Sequence, residues 1–396
     1  MKWPVYFQWS VSALFGWGVY GLNLLRYWQG ISGSPAYSLT KIDLESLRGS
    51  DALTLRALAQ PLVDSDHLRL RFEAEGDAMS PLDGVVLHSL GNQFNGARWP
   101  GEGPGGVSGK RTCGVIFFED TNLPSPQEIC GRYELIVTGS SWCEEVLRSR
   151  GVDHVATVIQ GVDTALFHPA PRSGSLEGRF AVFSGGKLEI RKGQDLVVLA
   201  FRQFAARHPE AILVTAWHSP WAQPALTLNS NSALAPIALD AEGKVDIAGW
   251  VAANGIDPSQ FIDLGPVPNH AMARMLREMD VAVFPNRCEG GTNLVAMECM
   301  ACGLPTILAN NTGHKDLVAT DGSFTLERQG LVNLADYGTE GWGESDVEEI
   351  VEALEAVWAD RERARLRGLA GAEALAKLSW RNQIGQLHDR LAPLCE

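Results

Sequence analysis

The chain has 396 residues, with 33 Lys and Arg against 47 Asp and Glu and a formal charge of −14. Apolar residues make up 45% and charged residues 20%, a globular mix that excludes a disordered chain. The acidic balance speaks against broad nucleic-acid binding and against a polybasic grip on anionic lipid, since both need a basic face. The length exceeds what one hydrophobic core usually spans, so two domains are expected.

In chain order, residues 5–25 are apolar but interrupted by Gln8, Ser10, Ser12, Asn23 and three glycines. That pattern fits a buried strand (5–11), a tight loop at Gly16 and Gly18, and a helix from 19, rather than a spanning helix or a signal peptide. Residues 83–90, 114–120 and 133–139 read as short apolar strands, 140–152 as a helix and 154–161 as another strand. Two prolines and several polar turn residues in 161–175 mark the best domain boundary. The alternation then restarts. Strands are expected at 179–186, 211–217, 261–267, 281–286 and 304–311. Helices are expected at 192–209, 270–280 and 293–303, with a long helical stretch over 346–376 broken at Gly368 or Gly371. Residues 219–240 carry no clear pattern. Two successive sets of alternating units predict two parallel-sheet α/β domains with ligands bound beyond the carboxyl ends of the strands.

The seven cysteines are scattered, which suits a reducing, cytoplasmic setting. Cys299 and Cys302 form a CxxC without a second ligand pair, so they are expected as buried helix thiols rather than a zinc site.

The segment 284–310 (FPNRCEGGTNLVAMECMACGLPTILAN) carries the strongest chemical signal. An apolar strand ends in a glycine loop that opens a helix. Thr292 or Asn293 suits its N-cap, and Gly303 and Pro305 suit its end. Gly290 and Gly291 permit close backbone approach, and the helix N-terminus favours an anion. Glu298, about one and a half turns into the helix, is placed to accept ribose hydroxyls; an ordinary strand–loop–helix with solvated glutamates is the plainer alternative. The segment 184–195 (SGGKLEIRKGQD) adds Lys187 and Lys192 as point charges for a diphosphate, with Arg191 in reserve, against the alternative of a solvated basic loop. Gly16 and Gly18 form a weaker glycine turn facing the same cleft. Asp64-Ser65-Asp66 mimics a metal-binding DxD but has no strand leading into it, and reads as a solvated turn.

On VIQGVDTALFHP, SGGKLEIRKGQD, the glutamate pair around EGGTNLVAMECMACGLP, and SWRNQIGQLHDRL, the chain resembles a retaining GT-B glycosyltransferase of the family 4 type. The resemblance implies two Rossmann-like domains facing across a cleft. An acceptor-side domain would span 1–168, a nucleotide-sugar-binding domain 175–378, and a C-terminal helix over 379–396 would cross back to the first domain. By periodicity alone, Trp380, Ile384, Leu387 and Leu391 show only that a helix is there.

Carried over position by position, Lys187 and Lys192 match the family's diphosphate-binding pair, although Lys187 stands where Arg is common. Glu298 matches the ribose-binding glutamate, and Glu289 resembles the upstream glutamate facing the donor sugar. The backbone of Gly290, Gly291, Thr292, Asn293 and Leu294 would meet sugar and phosphates. Eight residues separate Glu289 from Glu298 where the family has seven. Where the family often has a histidine facing the donor sugar, this chain has Glu119, followed by Asp120; His88, one strand earlier, is a further cleft candidate or a satisfied strand-end histidine.

The resemblance implies a nucleotide-sugar donor, a saccharide or lipid-linked acceptor, retention of configuration, and no metal or other cofactor. It suggests peripheral contact with the inner face of a membrane and implies no protein partner. Rival readings are another GT-B enzyme, a phosphorylase or sugar-nucleotide epimerase, and a non-catalytic sugar-binding protein.

Overall fold

The structure, a computed structural model, describes residues 3–48, 50–75, 81–96, 106–320, 322–335 and 337–396. Apolar runs form two six-stranded sheets in which every pairing is parallel. The first contains β1 (Val5–Phe7), β2 (Ala36–Ser38), β3 (Leu82–Ser89), β4 (Gly109–Ile116), β5 (Ile136–Thr138) and β6 (Val155–Thr157), in the order β2-β1-β3-β4-β5-β6. The second contains β7 (Phe180–Gly185), β8 (Ala211–Ala216), β9 (Phe261–Asp263), β10 (Val281–Phe284), β11 (Thr306–Ala309) and β12 (Phe324–Leu326). Its order, β12-β11-β10-β7-β8-β9, is the doubly wound dinucleotide-binding order, with the switch point between β10 and β7. All six residues of β7 are buried, as expected of a strand covered on both faces. A short antiparallel pair, β13 (Gln329–Gly330) and β14 (Glu344–Ser345), lies outside both sheets.

Helices α1 (Gly16–Ser32), α2 (Ala52–Glu75), α3 (Pro126–Cys130) and α4 (Ser141–Ser149) belong to the first half. The second half carries α5 (Gln194–Ala205), α6 (Ile247–Ala253), α7 (Asn269–Leu276), α8 (Leu294–Ala301), α9 (Lys315–Val318), α10 (Val347–Ala359) and α11 (Arg361–Leu375). The last helix, α12 (Trp380–Leu391), buries Trp380, Ile384, Leu387 and Leu391 in one core with Trp3, Phe7, Leu24 and Trp28 of the first half. The chain passes between the halves twice at one place. Val162 N donates to Leu378 O at 2.9 Å and Trp380 N to Val162 O at 3.1 Å. A Cβ on Gly161 would lie 2.4 Å from Trp380 Cα, so only glycine permits that crossing.

Three local expectations change. Gly16 and Gly18 are not a loop, because α1 begins at Gly16. Gly18 is required by crowding: a Cβ there would sit 2.4 Å from Ser12 Cβ. Asp64-Ser65-Asp66 lies within α2, not in a turn. Asp64 accepts from Gln60 Nε2 at 2.8 Å and Asp66 pairs with Arg69 at 2.7 Å, spacings that follow the helix surface. The long helical stretch breaks at Asp360, whose side chain accepts from Arg363 N to start α11. Gly368 and Gly371 lie inside α11, where they let backbone pack: a Cβ on Gly368 would meet Gly303 O at 2.3 Å, and Gly371 Cα lies 2.2 Å from where a Cβ on Gly322 would be. The patternless stretch holds a 3-10 helix, Gln223–Ser230, and a bridge between Leu239 and Val245.

Candidate active site

The turn after β7 and the loop after β10 meet at the switch point. Residues Ile190–Lys192 form one 3-10 turn that ends at Gly193, with φ of 71°. A Cβ on Gly193 would also lie 2.3 Å from Pro285 O, so this turn lies directly on the end of β10. It delivers Lys192 Nζ to Glu289 Oε1 at 2.5 Å. The neighbouring Arg191 guanidinium, 5% exposed, donates to Cys288 O at 2.8 Å and lies 3.3 Å from Glu289 Oε2. Its Nη2 lies 3.4 Å from Glu119 Oε1, a carboxylate that arrives from the first half just past β4. Its Nε lies 3.3 Å from Glu189 Oε1, and Lys187 Nζ holds Glu189 Oε2 at 2.7 Å. Three cations thus interleave with three carboxylates.

Burial opposes the charge on Glu289, yet Lys192 and Arg191 hold its carboxyl down at about 2. Withdrawal from solvent pushes Glu119 up, against the pull of Arg191. Burial pushes Lys192 down, with Glu289 opposing it. Asn286 Nδ2 also donates to Glu289 Oε1, and Glu289 N donates to Thr312 Oγ1 at 2.8 Å.

Asn293, not Thr292, caps α8, accepting from Ala296 N through its side chain. It does so at φ of 66°, so the glycine loop carries its kink at a non-glycine residue. Its Nδ2 lies 3.2 Å from Nε2 of His314, a histidine pushed down by burial to about 4 and therefore a neutral acceptor. Thr292 is fully buried and donates to Met297 Sδ at 3.0 Å. Gly303, at φ of 77°, follows the α8 C-cap, as expected.

Gly290 is packed rather than open toward a ligand, whereas Gly291 keeps room beside its backbone. Gly290 lies against the first half: its carbonyl accepts from Ser140 Oγ at 2.8 Å, and a Cβ on it would lie 2.4 Å from Phe118 O. Gly290→Ala is expected to destabilise the protein by about 2 kcal/mol, because the obstacle is backbone. Gly291→Ala meets only ordinary contacts, 3.4 Å or more, and is expected to stay near wild type. Urea denaturation of the two variants checks this; equal midpoints would contradict it.

Glu298 stands apart from the ionic cluster. It is 5% exposed, accepts from Asn269 Nδ2, and is pushed up by burial to about 8, with that hydrogen bond opposing. Leu294 opens α8 and lies 3.6 Å from where a Cβ on Gly16 would be, which brings Gly16, but not Gly18, to this edge. Asp120 is not a cleft group. Its carboxylate is 2% exposed and accepts from Gly338 N, Asn122 N and Gln93 Nε2, tying a loop of the second half to the first. His88 does not line the cleft either: it is wholly buried, its ring nitrogens 3.2 Å from Tyr133 Oη and 2.7 Å from Val107 O.

Glu189, Asn269, Asn286, Thr312 and His314 were not legible as site residues. Only Glu189 had a local signal, its place inside the basic segment 184–195. All seven cysteines are free thiols, Cys299 and Cys302 buried on and just past α8. Among the described residues, no group of three or more His, Cys, Asp or Glu is arranged to hold a metal ion. Among the same residues, no helix is long and apolar enough to cross a membrane.

The chain is similar to a GDP-mannose-dependent alpha-(1-6)-phosphatidylinositol monomannoside mannosyltransferase of Mycolicibacterium smegmatis, 27% identical over 246 residues, covering 59% of this chain and 54% of that protein. It is also similar to D-inositol 3-phosphate glycosyltransferase 2 of Catenulispora acidiphila, 28% identical over 252 residues, 61% of this chain and 52% of the relative. The chain spans about half the length of the curated relatives it matches. In three dimensions it superposes on sucrose-phosphate synthase of Thermosynechococcus elongatus with a TM-score of 0.66 at 16% identity, covering 100% of this chain and 99% of that one. Anabaena HepE in complex with UDP gives 0.61 at 11% identity, over 99% and 100% of the two chains. These neighbours share the GT-B fold of two parallel-sheet domains. The family described as "Family 4 Glycosyltransferase in conflict systems" matches residues 139–387, more than half the chain and the whole of the β7–β10 switch point, and this chain belongs to that family.

Proposed function

We propose that the protein transfers a sugar from a nucleotide-sugar donor to a hydroxyl of a saccharide or lipid-linked acceptor, with retention of configuration and without a metal or other cofactor. The observation that carries this reading is the convergence of Arg191 and Lys192 on Glu289 at the switch point, with Glu119 supplied by the other half. Breaking the anomeric bond leaves a negative diphosphate and a cation-like sugar. Lys187, Arg191, Lys192 and the start of α8 offset the first charge. Glu119 and Glu289 face the second, as carboxylates do in glycoside chemistry. Lys192 then divides its charge between Glu289 and the leaving diphosphate. Glu298 accepts the ribose hydroxyls of the donor.

In this reading residues 175–378 hold the donor and residues 1–168 the acceptor, in the cytoplasm; a lipid-linked acceptor would draw the protein to the inner face of a membrane. The relatives' names direct the first trials to GDP-sugars and inositol-containing acceptors. The test is release of nucleoside diphosphate from a panel of nucleotide sugars, in excess EDTA and with magnesium or manganese. Turnover is expected with at least one donor and is expected to survive EDTA. Loss in EDTA, restored by one stoichiometric metal, would overturn the metal-free mechanism.

A further inference from the structure

We infer that Asn269 is a positioning residue for donor ribose recognition, holding Glu298 in place and tying it to the loop between β1 and α1 of the first half. This rests on the reading of Glu298 as the ribose-binding carboxylate. Asn269 is the first residue of α7, and its two hydrogen bonds point in different directions. Its side-chain Nδ2 donates to Glu298 Oε1. Its backbone N donates across the halves to Ala13 O at 3.0 Å. The same first-half loop reaches the second half twice more. Phe15 meets Trp221 edge-on at 5.3 Å, and Gly16 lies beside Leu294. Leu294 precedes Glu298 by one helical turn on α8, so both lie on one face of that helix. The loop therefore rests on the helix face that presents the carboxylate, and Asn269 joins the two.

The chemistry explains why such a residue is needed. A pair of vicinal hydroxyls is recognised by direction: two donors must find two acceptor oxygens in one plane. A carboxyl group that is 5% exposed has a strong tendency to keep its proton and to turn toward any donor available. The Asn269 amide supplies a fixed donor to one oxygen, which favours the ionised form and sets the plane of the group. The backbone bond to Ala13 fixes Asn269 in turn, so ribose recognition is complete only where the two halves meet.

The test compares binding of GDP and UDP with binding of their 2′,3′-dideoxy counterparts, by calorimetry, to wild type, Asn269→Ala and the near-isosteric Asn269→Asp, which lacks the N–H donor. At pH 9, where the Glu298 carboxyl is ionised, wild type is expected to prefer one ribonucleotide over its dideoxy form by about tenfold or more, as for a hydrogen bond to a charged group. In both variants that preference is expected to collapse while dideoxy affinity is unchanged. Variants that keep the full preference would overturn the role of Asn269 and leave Glu298 standing. Equal loss of ribo and dideoxy binding would make the role merely structural and also overturn it. A wild type that binds neither nucleotide, or shows no ribose preference, would remove the reading of Glu298 on which the inference rests. Thermal melts of all three proteins separate these outcomes from failure to fold.

Discussion

Glu298→Gln is expected to make the protein more stable at pH 8 and above while weakening its grip on the donor. Burial raises the Glu298 carboxyl from 4.5 to about 8, against the hydrogen bond from Asn269. The folded chain therefore keeps this proton across a range in which the unfolded chain releases it. A group raised in this way contributes stability that is fully present below pH 4.5 and is lost as pH rises toward 8. The loss runs at about 1.4 kcal/mol per pH unit for a fully linked group. Glutamine has no such proton, and its oxygen can still accept from Asn269. The variant should match wild type near pH 5 and exceed it by on the order of 3 kcal/mol at pH 8 to 9. Glu289, held at about 2, acts in the opposite sense, with stability lost only as pH falls below 4.5, so it does not mask the effect above pH 5. Urea denaturation at several pH values measures this directly. Parallel pH profiles for the two proteins would show that Glu298 is not a buried, proton-holding carboxyl. The same substitution is expected to raise the KM for the nucleotide sugar more than it lowers kcat, because ribose is bound alike in the ground and transition states.

Lys192→Ala is expected to lower kcat/KM by about 10²- to 10³-fold, the usual result of removing one preorganised charge from a developing anion. It should also cost about 3 kcal/mol of stability, since it removes a partner from the buried Glu289 and leaves Arg191 and Asn286 to satisfy it. The double variant Lys192→Ala with Glu289→Gln separates the two effects. Stability should return, because no unpaired charge remains, whereas activity should not. Circular dichroism establishes the native fold before rates are compared. Normal turnover by a folded Lys192→Ala protein, with any donor that wild type accepts, would move the diphosphate away from the β7–β10 switch point.

Local chemistry made much of the second half legible. The glycine loop opens α8, the helix ends where a left-handed Gly303 is needed, and its N-cap is a side chain two residues past the double glycine. The run 180–185 is apolar throughout because both faces of its sheet are covered. Signals of this kind depend on neighbours within a turn or two, so they can be read in order along the chain. The segment around residues 30–80 resisted such reading. Helix α2 contains Pro61, which ordinarily argues against a helix interior.

By itself the sequence determined the alternation of apolar strands and helices, the doubled α/β plan, the basic turn near 190 and the apolar helix that carries Glu298. Those features follow from period, capping and turn chemistry. Only the tertiary structure decided the partnerships. It brought Arg191, a reserve candidate, into contact with Glu289 and Glu119, while Lys187 pairs with Glu189 one step away. It buried His88 and turned Asp120 to a loop some 218 residues distant in sequence. It set Asn269 against Glu298, and it kept Gly368 and Gly371 inside α11, where they serve close packing. The physical reason is common to all of these. A hydrogen bond or ion pair between halves depends on where two sheets dock, and residues separated by a hundred positions share no period from which that docking can be read.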